Sequence, residues 1–218
     1  MQALYNKKTI FIITLTAFLT ACGGTGGGVK ETPQGTAVDG KTSVSEAAAN
    51  PVKGAPSSLN TKVKQDYQKA LDAMKAGDEA KAEALLRHVS VTNPELSGPH
   101  VNLGLIKFRA GKTEAAEAQF KKAIELNPES AVSYNHMGII SRSRGEFPLA
   151  RTYYQKALTI DPSYAFAHLN FGILLDIYIG DLDQALAHYK RFQELNGEED
   201  QDVRKWIIEL QRRIKKAK

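Results

Sequence analysis

The chain has 218 residues, 42% hydrophobic and 24% charged, a composition that excludes a disordered polymer and a multi-pass membrane protein and fits one or two globular domains. Its formal charge of +5 is too small and too evenly spread to mark a nucleic-acid-binding surface. A single cysteine, Cys22, cannot close an internal disulfide and lacks the paired spacing of a zinc or redox site.

In chain order, Lys7 and Lys8 precede "TIFIITLTAFLTA", Thr9 to Ala21. This apolar run is shorter than the ~20 residues a helix needs to cross a bilayer core. It fits the apolar region of a signal peptide spanning residues 1–21. Its removal takes two lysines with it, so +5 minus 2 leaves +3. The ending Leu19-Thr20-Ala21-Cys22 resembles the lipobox of bacterial lipoproteins. That resemblance implies cleavage before Cys22, a thioether to diacylglycerol on its thiol, and a further acyl chain such as palmitate on the freed amine. At about 0.8 kcal/mol per buried methylene, one chain binds a bilayer marginally and two or three hold it. Gly23 stands where an aspartate would signal inner-membrane retention in Gram-negative members, so the implied location is the outer membrane, facing the periplasm.

Residues 22–60 form the next segment, rich in Gly, Ala, Ser, Thr and Pro with almost no large apolar side chain. Such a stretch cannot bury enough surface to order itself and reads as a leash. Its 38 residues after Cys22 would span roughly 34 Å as a flexible coil. The glycines "GGTGGG" are not a phosphate loop, because Val29 stands where that motif has lysine and no strand precedes them.

Beyond residue 60 three residue classes recur at an interval of 34: Pro94, Pro128 and Pro162; Gly77, Gly111 and Gly145; Gly104, Gly138 and Gly172. Ala70 occupies the last of these slots one period earlier. Ala82, Ala116 and Ala150 keep the same interval, and these alanines are expected to face the mid-helix glycines from the second helix. Leu86, Phe120, Tyr154 and Tyr189 follow one turn later on the same face. Glycine inside a helix costs about 1 kcal/mol against alanine, so each unit must need the space. The recurring loop glycines end first helices and the prolines stop second helices. In the fourth unit Gly172 to Gly180 is eight residues where its predecessors have seven, which predicts a longer first helix or a bulge within "ILLDIYIG".

These motifs resemble the tetratricopeptide repeat (TPR), a helix-turn-helix unit of 34 residues. The resemblance implies an all-α fold: a right-handed superhelical solenoid of about four TPR repeats, over residues 63–96, 97–130, 131–164 and 165–199 within 61–199. Residues 200–218 follow as a capping helix, with Val203, Trp206, Ile207, Leu210 and Ile214 as its apolar stripe and a basic opposite face. A solvated cap face with helix-end cations explains that face, and contact with anionic lipid or an acidic partner is the alternative.

In such a solenoid first helices line the concave side, where a protein or peptide ligand binds. The candidate partner-binding residues there are Tyr67, Asn102, Arg109, Asn135, His136, Arg142 and Asn170, with Lys64, Lys75 and Asp176 on the same face. Asn102, His136 and Asn170 share one slot, and a carboxamide there could offer a donor and an acceptor to a peptide backbone. The family's carboxylate clamp is not expected, because Tyr67 and Leu71 replace its lysine and asparagine. His100 and His168 read as packing residues. No residues form a catalytic, cofactor or metal set, so no enzyme and no cofactor is expected. The implied function is a membrane-anchored interaction scaffold or assembly factor, similar to type IV pilus pilotins. The alternative is an adaptor recruiting peptidoglycan enzymes or an energised envelope complex. Partners are a protein or peptide and, through acylated Cys22, the lipid bilayer, with no nucleic acid.

Overall fold

The computed structural model describes residues 60–197 and 199–217. The expected signal peptide, Cys22 and the leash lie outside the described residues. Within them every regular element is helical: α1 Thr61–Lys75, α2 Glu79–Thr92, α3 Ser97–Arg109, α4 Thr113–Leu126, α5 Ala131–Ser143, α6 Phe147–Ile160, α7 Ala165–Ile173 continuing as a π-helical turn Leu174–Ile179, α8 Leu182–Leu195 and α9 Gln201–Ala217. None is long and apolar enough to cross a membrane.

Successive helices pair as hairpins α1/α2, α3/α4, α5/α6 and α7/α8, and the second helix of each packs on the first of the next. The turns repeat one device. Gly111 adopts φ +69° and Gly145 φ +78°, a region open to glycine at no steric cost. That residue lets Lys112 N–H donate to the Lys107 carbonyl and Glu146 N–H to the Ser141 carbonyl, both at 2.9 Å, which satisfies carbonyls the helix end would otherwise leave unpaired. Second helices stop at Thr92, Leu126 and Ile160, each two residues before its proline.

The mid-helix glycines accommodate aromatic rings, where the sequence pointed to the facing alanines. A Cβ on Gly104 would lie 2.6 Å from Phe120 Cε1, and one on Gly138 2.6 Å from Tyr154 Cε1. On Gly172 it would lie 2.7 Å from Tyr189 Cδ1, whereas the nearest atom of Ala185 is its carbonyl oxygen at 3.5 Å. The small residue and the large ring are complementary halves of one contact.

The extra residue of unit 4 is absorbed as the π-helical turn Leu174–Ile179, the bulge foreseen from the count. Both Gly180 N–H and Asp181 N–H donate to the Leu175 carbonyl, at 2.8 and 3.0 Å, so this turn closes differently from its predecessors. Helix α9 covers the last hairpin: Val203 and Leu210 are buried, Trp206, Ile207 and Ile214 pack half-buried against the same cluster, and the Trp206 ring lies 5.6 Å from that of Tyr189.

Candidate functional site: the faces of the first helices

Each first helix has three kinds of position. One row packs into its own hairpin, one meets the neighbouring first helix, and the residues near its C-terminal end reach solvent. The sequence-derived candidates divide between the second and third kinds.

Tyr67, Asn102, Asn135, His136 and Asn170 are all buried. Asn102 Nδ2 donates to the Tyr67 hydroxyl at 2.6 Å, tying unit 2 to unit 1. Asn170 Nδ2 donates to Asn135 Oδ1 at 3.2 Å, tying unit 4 to unit 3, and Asn135 Nδ2 donates to the Tyr164 hydroxyl at the end of its own unit at 3.4 Å. His136 lies between rings, with centroids 5.4 Å from Phe108 and 4.9 Å from Phe120, and its Nδ1 sits 3.0 Å from the Val132 carbonyl. A buried polar group costs stability unless it is hydrogen-bonded, so these side chains work as ties between units. The Oδ1 atoms of Asn102 and Asn170 are buried with no hydrogen-bond partner. Burial pushes the Tyr67 hydroxyl pKa up, and the Asn102 bond only partly opposes it.

Nearer the helix ends, Arg109 is 3.2 Å from Glu79 of the preceding unit, as Lys107 is 2.6 Å from Glu83. Glu117 likewise reaches forward to Arg144 at 2.6 Å, and the hydrogen bonds from Arg144 and Lys121 hold its carboxyl below the ordinary range. Asp176 receives Arg213 of α9 at 2.6 Å. Arg142 is half-buried and its Nη1 has no hydrogen-bond partner. Lys64 and Lys75 are exposed. On α9, Arg204, Lys205, Arg212 and Arg213 pair with Glu199, Asp202, Glu209 and Asp176, so much of the basic face is neutralised locally.

Sequence reasoning missed the Tyr164 tie and the pairing of His168 with His188. Their Nδ1 atoms are 2.8 Å apart, and His168 Nε2 is 3.1 Å from the Pro162 carbonyl. With Nε2–H donating to that carbonyl, neutral His168 offers its Nδ1 lone pair to the Nδ1–H of His188. Burial lowers both pKa values, that of His188 to about 4 with the facing His168 adding to the effect. The 20-residue separation of two histidines on paired helices was the available signal. Among the described residues no group of three or more His, Cys, Asp or Glu could hold a metal ion.

A family model described as "Tetratricopeptide repeat" matches residues 95–163, close to units 2 and 3. Among solved structures, one from work on PilF of Pseudomonas aeruginosa is similar at TM-score 0.61 and 17% identity, covering 71% of this chain and 69% of that one. MamA from Desulfovibrio magneticus RS-1 is similar at TM-score 0.57 and 18% identity, covering 72% and 88%. A mutant O-GlcNAc transferase of Thermobaculum terrenum matches at TM-score 0.54 and 22% identity, over 61% of this chain and 26% of that one. At these identities the likeness is one of fold. No curated protein matches.

Proposed function

We propose, from a stack of helical hairpins whose middle units match the tetratricopeptide repeat, that this protein is a non-catalytic interaction scaffold held at a bacterial outer membrane by acylated Cys22, with its repeats in the periplasm. The supporting observation is the contrast between repeated and unrepeated positions. The packing slots recur from unit to unit, while the outer ends of the first helices carry Phe108 and Arg109, then Arg142 and Ser143, then Asp176 and Ile177. Part of that variation serves contacts inside the stack, as in Arg109 to Glu79 and Asp176 to Arg213, and the part that does not, Arg142 with exposed Ser143, is what a partner surface uses. The basic flank, apolar run and lipobox-like ending before Cys22 support the anchor. The combination of anchor and repeats supports an assembly factor for an envelope machine in the manner of pilotin lipoproteins, a reading in keeping with the PilF-like fold.

Intact mass and membrane fractionation of the native protein beside Cys22→Ser test the anchored reading. The expected result is an acylated chain beginning at Cys22 in the membrane fraction, with the variant released or unprocessed. An unacylated wild-type chain found in the soluble fraction would remove the anchor and leave only a repeat scaffold.

A further inference from the structure

Units 3 and 4 carry the same pair of slots with different outcomes. In unit 4, Asp176 faces the Tyr189 hydroxyl, whose pKa is raised by burial and then by that carboxylate's charge, and lies 2.6 Å from Arg213 Nη1, with its side chain 11% exposed. One carboxylate there binds a guanidinium and sits beside a phenol. In unit 3 the equivalent residues are Arg142, 34 positions before Asp176, and Tyr154, 35 before Tyr189, the additional residue being the π-helical insertion. The Tyr154 hydroxyl is buried with no hydrogen-bond partner, and so is Arg142 Nη1. Unit 2 fills both slots with phenylalanine, Phe108 and Phe120, so the hairpin itself requires no polar atom there. A guanidinium keeps its charge at any physiological pH, and a buried N–H without an acceptor retains its full desolvation cost. What unit 3 lacks is the anionic acceptor that unit 4 has built in.

We infer that Arg142 and the Tyr154 hydroxyl form a seat for a partner's carboxylate, which supplies in unit 3 the acceptor that Asp176 supplies in unit 4. This rests on the first-helix face being the partner surface, and it adds the chemistry recognised there. One carboxylate oxygen takes an Arg142 N–H, and the other takes the Tyr154 O–H. Entry is along the half-buried Arg142 side chain, which has to turn aside for a ligand to reach the hydroxyl. The carboxylate comes from an acidic side chain or from a chain terminus.

The test titrates the full chain in detergent with three acetylated pentapeptides: polyalanine as the free acid, polyalanine as the amide, and Ala-Ala-Asp-Ala-Ala as the amide. Backbone amide NMR shifts follow the binding. One or both acidic peptides are expected to shift amides around Arg142 and Tyr154, with the neutral peptide at least about tenfold weaker; which acid binds identifies the source. Arg142→Gln is expected to erase that preference. Tyr154→Phe is expected to reduce it without lowering the urea midpoint, which separates loss of the seat from loss of the fold. Equal binding of acidic and neutral peptides, unchanged acid binding in Arg142→Gln, or no shift from any peptide overturns the seat. Shifts along the first helices without acid preference would overturn the seat and leave the partner surface standing, whereas shifts confined to the second helices would overturn both.

Discussion

Replacing Gly138 with alanine sets helix propensity against packing. The new Cβ would lie 2.6, 2.8 and 2.9 Å from Cε1, Cδ1 and Cζ of Tyr154, each inside the roughly 3.5–4.0 Å of an unstrained carbon contact. Tyr154 is 0% exposed, so its ring has nowhere to retreat and the two helices must part. Overpacking of this kind costs about 1–3 kcal/mol. With three ring atoms involved we take the upper end and subtract about 1 kcal/mol for the gain of alanine over glycine in a helix. The net loss is about 2 kcal/mol. Unit 1 already shows the way out, because Ala70 fills the same slot where the second helix carries Leu86. Gly138→Ala in a Tyr154→Leu background reproduces that pair and is expected to be neutral or stabilising by up to about 1 kcal/mol. Urea unfolding followed by helical circular dichroism, on all four members of the cycle, gives the coupling. A raised midpoint for Gly138→Ala alone, or an equal cost in both backgrounds, would refute the reasoning.

The two tyrosines of units 3 and 4 should answer differently to loss of the hydroxyl. Tyr154→Phe removes a buried group with no hydrogen-bond partner and is expected to leave stability unchanged or raise it by about 1 kcal/mol, whereas Tyr189→Phe removes a hydroxyl that faces the Asp176 carboxylate and is expected to cost about 1 kcal/mol; matched urea midpoints check both. The histidine pair makes stability pH-dependent. Because the folded pKa values are lowered, with His188 at about 4, the unfolded chain binds more protons just below pH 6.5. Stability is therefore full above that pH and falls as pH drops toward 4. Discounted for partial solvent access, the loss assigned to His188 is about 2 kcal/mol, and comparing His188→Gln with wild type across this range should flatten the slope. Asp176→Asn weakens the link to Arg213 and is expected to cost about 1 kcal/mol, seen as earlier exchange of α9 amides with little change in α1.

The hairpins were legible because helix packing stamps small residues, rings and helix stops onto the sequence at one period. The 34-residue recurrence located the turns inside units 1 to 3, and a count of eight between Gly172 and Gly180 located the π-helical turn of unit 4. Which atom needs the glycine was not legible: spacing placed Ala116 and Phe120 on the same face, and only coordinates show the ring in contact. The asparagine slot misled for a related reason. A polar residue at a periodic position reads as surface, yet Asn102 and Asn170 are buried because their amides bond Tyr67 and Asn135 of the neighbouring unit. Contacts 35 residues apart carry no local signature. The slot shared by Arg142 and Asp176 is harder still to read, since it is marked only by differing where the packing slots agree.

Site-specific photo-cross-linking in native membranes tests the central claim most directly. A photoreactive residue at Ser143, exposed at the end of α5, is compared with one at Gln155, exposed on α6. The account predicts a discrete partner adduct from Ser143 and none from Gln155. Adducts from Gln155 alone, or from neither position, would contradict a partner surface on the first helices.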